Sequence, residues 1–350
     1  MKELIVDRDN DETTLVNNTE SSHTNASSLS LLLSKGEEEE EEEDNNNNNN
    51  NNNNTKNIDD DDEVNNFEKK IVFPKSPRQV AGNSHKHCRY GRVDPIGNFY
   101  KPTDDTRKGL TELEFYENWI NKEQRLRPEF ISFLPTFFAR TLLFESAIAE
   151  EKMPFLKLQD ITAEMKEANV VDIKIGARTW HPSHDQHYRE KRHRGDLETT
   201  SSSLGFRVCG MLTYEEESQT EKYWNRKWAK ALTLESTMIG LNVFFGQNSE
   251  RINITLQKLK EIRKSLEQNP FPVFFLGSSI LICYDSSDSS ADVRVVVVDF
   301  CNAVKNEARE VDANFLDGLI SLTNLIENIA KRRVSTEIKP NTPSPSTSEV

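Results

Sequence analysis

The sequence predicts an α+β fold, and three segments carry that prediction. Residues 251–266 place Ile252, Leu256, Leu259, Ile262 and Leu266 at spacings of three and four, the pattern of a helix with one buried face. Two apolar runs, residues 273–284 and 293–298, flank a Ser/Asp-rich stretch and suit an antiparallel hairpin. The third segment is Val171-Asp172-Ile173-Lys174-Ile175-Gly176. In an extended strand Val171, Ile173 and Ile175 point into a core while Asp172 and Lys174 share the opposite face. Gly176 then lets the chain turn sharply. Taken alone, this alternation also suits an ordinary half-buried strand with a solvated outer face.

Along the chain, residues 1–66 are not built to fold. Residues 37–44 are seven glutamates and an aspartate, residues 45–54 are all asparagine, and residues 59–63 are four aspartates and a glutamate. Such a stretch buries too little apolar surface to offset chain entropy, so a disordered tail is expected. It carries 19 acidic and 4 basic side chains, which leaves 39 and 40 in the remainder. The net charge of −14 therefore belongs to the tail and says little about what the folded part binds.

Short strands are expected over residues 78–101, broken at Gly91 and at Pro95-Ile96-Gly97-Asn98, followed by a helix over 111–122. Phe155–Leu158 suits a short strand leading into Gln159-Asp160-Ile161-Thr162. Asp312 can cap a last helix that turns Phe315, Leu316, Leu319, Leu322, Ile326 and Ile329 inward. Residues 336–350, rich in Pro, Ser and Thr, are expected to be a second disordered tail. Residues 67–335 are long enough to bury a substantial core.

No run of eighteen apolar residues and no leader pattern stands out, so a soluble intracellular protein without a transmembrane segment is expected. Cys88, Cys209, Cys283 and Cys301 are scattered singly, which fits a reducing compartment and no structural zinc. His181, His184 and His187 recur every three residues, but no cysteine or carboxylate cluster completes a metal site. Basic density peaks at His187, Arg189, Lys191, Arg192, His193 and Arg194. That run suits a polyanion site, a solvated helix face or a nuclear-import signal. Nucleic acid is not expected, because no aromatic platform lies beside it.

Six pieces occur in the order found in the inositol polyphosphate kinase family, which the chain resembles from about Arg78 to Ala330. They are Gln79-Val80-Ala81-Gly82, Glu112-Leu113-Glu114-Phe115-Tyr116, the Asp172-x-Lys174-x-Gly176 signature, Ser203 to Met211, Ser278-Ser279-Ile280-Leu281 and Val298-Asp299-Phe300. Lys174 to Trp180 looks most like the multikinase branch. The resemblance implies a two-lobed kinase-like fold: a small lobe over residues 67–158 built on an antiparallel sheet, a hinge, and a larger lobe of sheet and helices over 163–335.

It also implies residue roles. Asp299, at a strand end, would bind Mg2+, which prefers hard oxygen ligands shared with ATP phosphates and water. Lys101 would contact ATP phosphates, oriented by Glu112. Gln159 and Ile161 would line the hinge side of the nucleotide, Asp172 would take the ribose hydroxyls, and Ser279 would lie near the phosphates. Lys174 would touch the transferring phosphate and the substrate. Lys191 and Arg192 are the expected substrate contacts in the basic run.

Three positions depart from the family pattern. Ala168 replaces a proline before the signature, Leu212 lacks a basic side chain common there, and Asn302 stands where a substrate-binding histidine is usual. Asparagine there can still hydrogen-bond substrate but carries no charge. The resemblance implies an ATP-dependent kinase acting on soluble inositol trisphosphate and tetrakisphosphate towards pentakisphosphate, monomeric, in nucleus and cytoplasm. The short segment between Lys174 and Leu204 favours an open, promiscuous site that could also reach phosphoinositide headgroups. An inositol hexakisphosphate kinase is the nearest alternative, and a catalytically weak kinase-fold scaffold is the alternative from another class.

Overall fold

A computed structural model of the chain describes residues 72–81, 90–120, 128–144, 146, 149–215, 217–268, 271–288 and 292–337. The tail expected over residues 1–66 lies outside the described residues, as do Gly82, Cys88 and residues 338–350.

The small lobe is a four-stranded antiparallel sheet in the order β1-β2-β4-β3. Its strands are β1 (Arg92–Val93), β2 (Asn98–Pro102), β3 (Phe137–Phe144) and β4 (Lys152–Gln159). Pro95, Ile96 and Gly97 turn β1 into β2 as expected, with Gly97 at φ +88° and the Asp94 carboxylate accepting from the backbone N–H groups of Ile96 and Asn98. Helix α1 (Arg107–Glu114) starts four residues earlier than expected and continues as a π-helical turn over Phe115–Ile120. Phe115 and Tyr116, at the junction, are both buried, and Phe115 stacks on Phe300 of the large lobe. Edge strand β3 was not foreseen, since FFARTLLF does not alternate in polarity; Phe138 and Leu142 remain exposed on it.

The large lobe is a five-stranded antiparallel sheet in the order β10-β9-β5-β6-β7, with β5 (Ala168–Ile175) at its centre. Its partners are β6 (Phe206–Glu215), β7 (Thr220–Trp224), β9 (Ser279–Asp285) and β10 (Val293–Val298). Val171, Ile173 and Ile175 are fully buried on one face, and Asp172 and Lys174 share the other, as the alternation requires. The expected hairpin is β9–β10, but the apolar run before it divides: Val273–Phe274 forms β8 and pairs with β11 (Val304–Lys305). The break lies at Gly277, whose φ of +70° only glycine adopts freely.

Four helices of eleven residues or more pack in the large lobe: α2 (Gln186–Leu197), α3 (Leu234–Phe244), α4 (Ser249–Gln268) and α5 (Ala313–Glu337). In α4, Ile252, Leu259, Ile262 and Leu266 are buried, whereas Leu256 is half-exposed over a shallow groove. In α5, Phe315, Leu319, Leu322, Ile326 and Ile329 form the buried stripe, and Leu316 sits at its margin. The Asp312 carboxylate caps α5 by accepting from the Phe315 N–H at 3.1 Å and also holds the Phe275 N–H at 2.6 Å. Helix α3, which the sequence reading missed, has a reciprocal cap between Thr233 and Ser236. No described helix is long and apolar enough to cross a membrane.

Candidate active site

A cavity of about 610 Å3 opens between the sheets, and the chain builds each side of it differently. Its apolar side is closed by Val80, Ile161, Val170, Leu281 and Val298, which pack in one cluster with Met165 and Leu212. Val80 belongs to a strap, Ser76–Ala81, that crosses from lobe to lobe. The Ser76 N–H donates to Gly91 O at 2.8 Å beside β1, and Arg78 donates at 2.6 Å to the carbonyls of Thr162 and Met165 after the hinge. A Cβ on Gly210 of β6 would lie 2.0 Å from Val80 O, so only glycine admits the strap there.

Next along the wall stand Lys101, Glu112, Asp172 and Asp299. Glu112 Oε1 accepts from Lys101 Nζ at 2.8 Å and from the Phe300 N–H at 3.1 Å, which ties β2, α1 and the end of β10 together. Lys101 also pairs with Asp299. Burial alone would lower the Lys101 pKa, but the Asp299 and Glu112 carboxylates hold it well above its usual value. Burial likewise disfavours the Asp299 anion, yet Lys101 and Lys174 outweigh it and its pKa falls. Asp172 goes the other way: burial and the Asp299 charge push it up to about 6 against the pull of Lys174. Asp299 has φ +67°, an uncommon conformation that Asp tolerates better than most residues, and its carbonyl accepts from Ser278 Oγ at 2.9 Å.

The remaining wall is cationic: Lys108 from α1, Lys191 and Arg192 from α2, and Arg226, with Tyr188 among them. Burial lowers the Lys108 pKa, and the charges of Arg192, Arg107 and Lys174 add to that effect. Four cations gathered on one wall can offset the charge of an anion.

Of the residues expected from sequence, Lys101, Glu112, Gln159, Ile161, Asp172, Lys191, Arg192 and Asp299 line this one cavity. Three others do not. Lys174 Nζ donates to Gly277 O at 2.5 Å. Ser279 is fully buried beside the signature strand, and Asn302, also buried, accepts from Tyr188 Oη at 2.9 Å. Thus Asn302 reaches the cavity through Tyr188. Lys108, Tyr188 and Arg226 were missed: Lys108 and Arg226 sit in ordinary Arg-Lys pairs, Arg107-Lys108 and Arg226-Lys227, and only the fold brings one member of each pair to the cavity. His181 and His184 lie edge to face at 6.4 Å, and the described residues contain no cluster of three or more potential metal ligands.

Could this wall hold a divalent cation and nucleotide phosphates? Asp299 and Asp172 both face the cavity, close enough that the Asp299 charge raises the Asp172 pKa. Carboxylate oxygens on this wall fit a hard cation that keeps phosphate and water ligands, which needs no all-protein cage.

Comparison with known proteins follows the same line. A family model described as inositol polyphosphate kinase matches residues 155–327. The chain is 30% identical over 267 residues to the inositol polyphosphate multikinase of Schizosaccharomyces pombe, covering 70% of this chain and 90% of that one. It is 28% identical over 280 residues to inositol polyphosphate multikinase beta of Arabidopsis thaliana, covering 72% and 91%. A crystal structure of the S. cerevisiae inositol phosphate multikinase in complex with ADP and Mn2+ matches its fold with a TM-score of 0.53 at 20% identity, covering 66% of this chain and 98% of that one.

Proposed function

The chain belongs to the inositol polyphosphate kinase family, and on that premise we propose that it is a multikinase passing the γ-phosphate of MgATP to hydroxyls of inositol tris- and tetrakisphosphates. The observation that carries this reading is the cavity itself, where an apolar slot, a carboxylate pair with Lys101, and four cations follow one another along one wall. Phosphoryl transfer asks of a protein chiefly that it hold two substrates in line and offset charge.

The slot between Val80 and Leu281 suits a flat base, and Asp172 faces where ribose hydroxyls would donate to it. Lys101, fixed by Glu112, offers its ammonium to the β- and γ-phosphates. Asp299 would hold Mg2+, which when bound spreads charge away from the phosphate oxygens. Lys174, whose charge already acts on both carboxylates, would stabilise the transferring group. Lys108, Lys191, Arg192 and Arg226 would replace the counterions of an acceptor bearing several phosphates. Only one helix of twelve residues, α2, with a short turn after it, stands between the signature strand and β6. The acceptor side therefore stays open, which favours several substrates over one. We take residues 67–335 as the catalytic domain, to be checked by assaying that segment alone.

The deciding experiment incubates pure protein and MgATP with a panel of inositol phosphates and resolves the products chromatographically. Successive conversion of tris- to tetrakis- and pentakisphosphate is expected. Pyrophosphate products from the hexakisphosphate would assign the alternative kinase activity, and no turnover on any substrate would leave a scaffold.

A further inference from the structure

We infer that Thr179 and Asp196 are positioning residues for the acceptor: a buried relay that aims the Arg192 guanidinium into the cavity. The inference rests on the reading of Arg192 as an acceptor contact and adds how that contact is set.

Thr179 follows the signature strand and is fully buried; Asp196 is 2% exposed and lies one helical turn beyond Arg192 on α2. Asp196 accepts from the Thr179 N–H at 2.9 Å and from Thr179 Oγ1 at 2.8 Å. Arg192 Nε donates to the same hydroxyl at 3.0 Å. A carboxylate only accepts, so the hydroxyl proton must go to Asp196, and its lone pair is left for Arg192. The direction of both hydrogen bonds is thereby fixed, from guanidinium to hydroxyl to carboxylate.

Using Nε in this way leaves the forked end of Arg192 for the cavity. A Cβ built on Gly277 would lie 3.7 Å from Arg192 Nη2 and 3.8 Å from Asn302 Nδ2, and Lys174 Nζ donates to the Gly277 carbonyl. Donors from three elements therefore gather around Gly277. Arg207 Nη1 stands 3.3 Å from Asp196 and braces its carboxylate from β6. Nothing in the composition of α2 distinguishes Arg192 from Arg189 or Arg194; the relay does.

The test is a double-mutant cycle with Thr179→Val and Arg192→Ala, read as KM for inositol trisphosphate, KM for ATP and melting temperature. Thr179→Val keeps the side-chain shape and removes the hydroxyl. It should raise the inositol phosphate KM on the order of tenfold, leave the ATP KM unchanged, and be rescued by Thr179→Ser. On the Arg192→Ala background it should add nothing. Additive effects, or an equal rise in both KM values, would make Thr179 merely structural and overturn the relay. A silent Thr179→Val beside a strong Arg192→Ala would remove the relay alone. If Arg192→Ala itself is silent, the reading of the acceptor site fails and takes the relay with it.

Discussion

Asp172 on β5 and Asp299 at the end of β10, with β9 between them, have pKa values shifted in opposite directions, and the cause is local. Asp299 keeps its charge because Lys101 and Lys174 offset its burial, while Asp172, with less compensation, is raised to about 6 from 3.8. A carboxyl whose pKa rises on folding favours the fold while protonated, so this contribution is complete below about pH 4 and is lost as pH climbs through about 6. In its proposed role Asp172 accepts from the ribose hydroxyls, which needs the anion. The pH profile of kcat/KM for ATP should therefore fall about tenfold per unit below about pH 6, and Asp172→Asn should lower the plateau and flatten that limb. On the proposal that Asp299 holds magnesium, Asp299→Asn should lower turnover on the order of a hundredfold and recover in part at raised magnesium, because metal affinity is what it would lose. Full turnover at ordinary magnesium would remove Asp299 from the chemistry.

Among the elements, α5 buries Phe315, Leu319, Leu322, Ile326 and Ile329 along one stripe. Leu322→Ala should cost about 2–5 kcal/mol by opening a cavity there, measured by denaturant unfolding, while the KM values of the folded fraction stay put. That stripe was legible in sequence because its period is 3.6 and its cap is an aspartate. The alternation of β5 was legible for the same kind of reason, and it placed Asp172 and Lys174 on one face. Less legible was the run from Val273 to Tyr284, since apolar character alone does not show that Gly277 bends the chain into a second pairing. Helix α3 went unseen although Thr233 and Ser236 spell its start. Lys108 and Arg226 could not be read at all, because what makes them site residues is the meeting of α1, α2 and the segment after β7.

At the scale of the whole molecule, the lobes are joined by more than the hinge. Glu112 links α1 to Lys101 and to Phe300, and the strap Ser76–Ala81 runs from β1 to the turn after the hinge and on to β6. Gly210→Ala would drive a methyl into Val80 O and displace that strap, at about 1–3 kcal/mol. We expect a lower melting temperature together with a raised KM for ATP and an unchanged KM for inositol phosphate. A change in stability without a change in the ATP KM would show that the strap is only structural.

The strap has one more consequence, for how this protein can change over generations. Val80 closes the proposed nucleotide slot and Arg78, two residues away, fastens the turn after the hinge, so on that reading fit for the base and freedom of the lobes are written in the same six residues. A lineage that widened the slot through this segment would loosen the joint at the same stroke. The proposed acceptor wall is less tied: among the described residues Lys191 and Arg226 make no hydrogen bond or ion pair between the lobes, and the cross-lobe contact there is Arg107 over the Tyr188 ring. Drift in what is phosphorylated should therefore come more easily than drift in the nucleotide that supplies the phosphate.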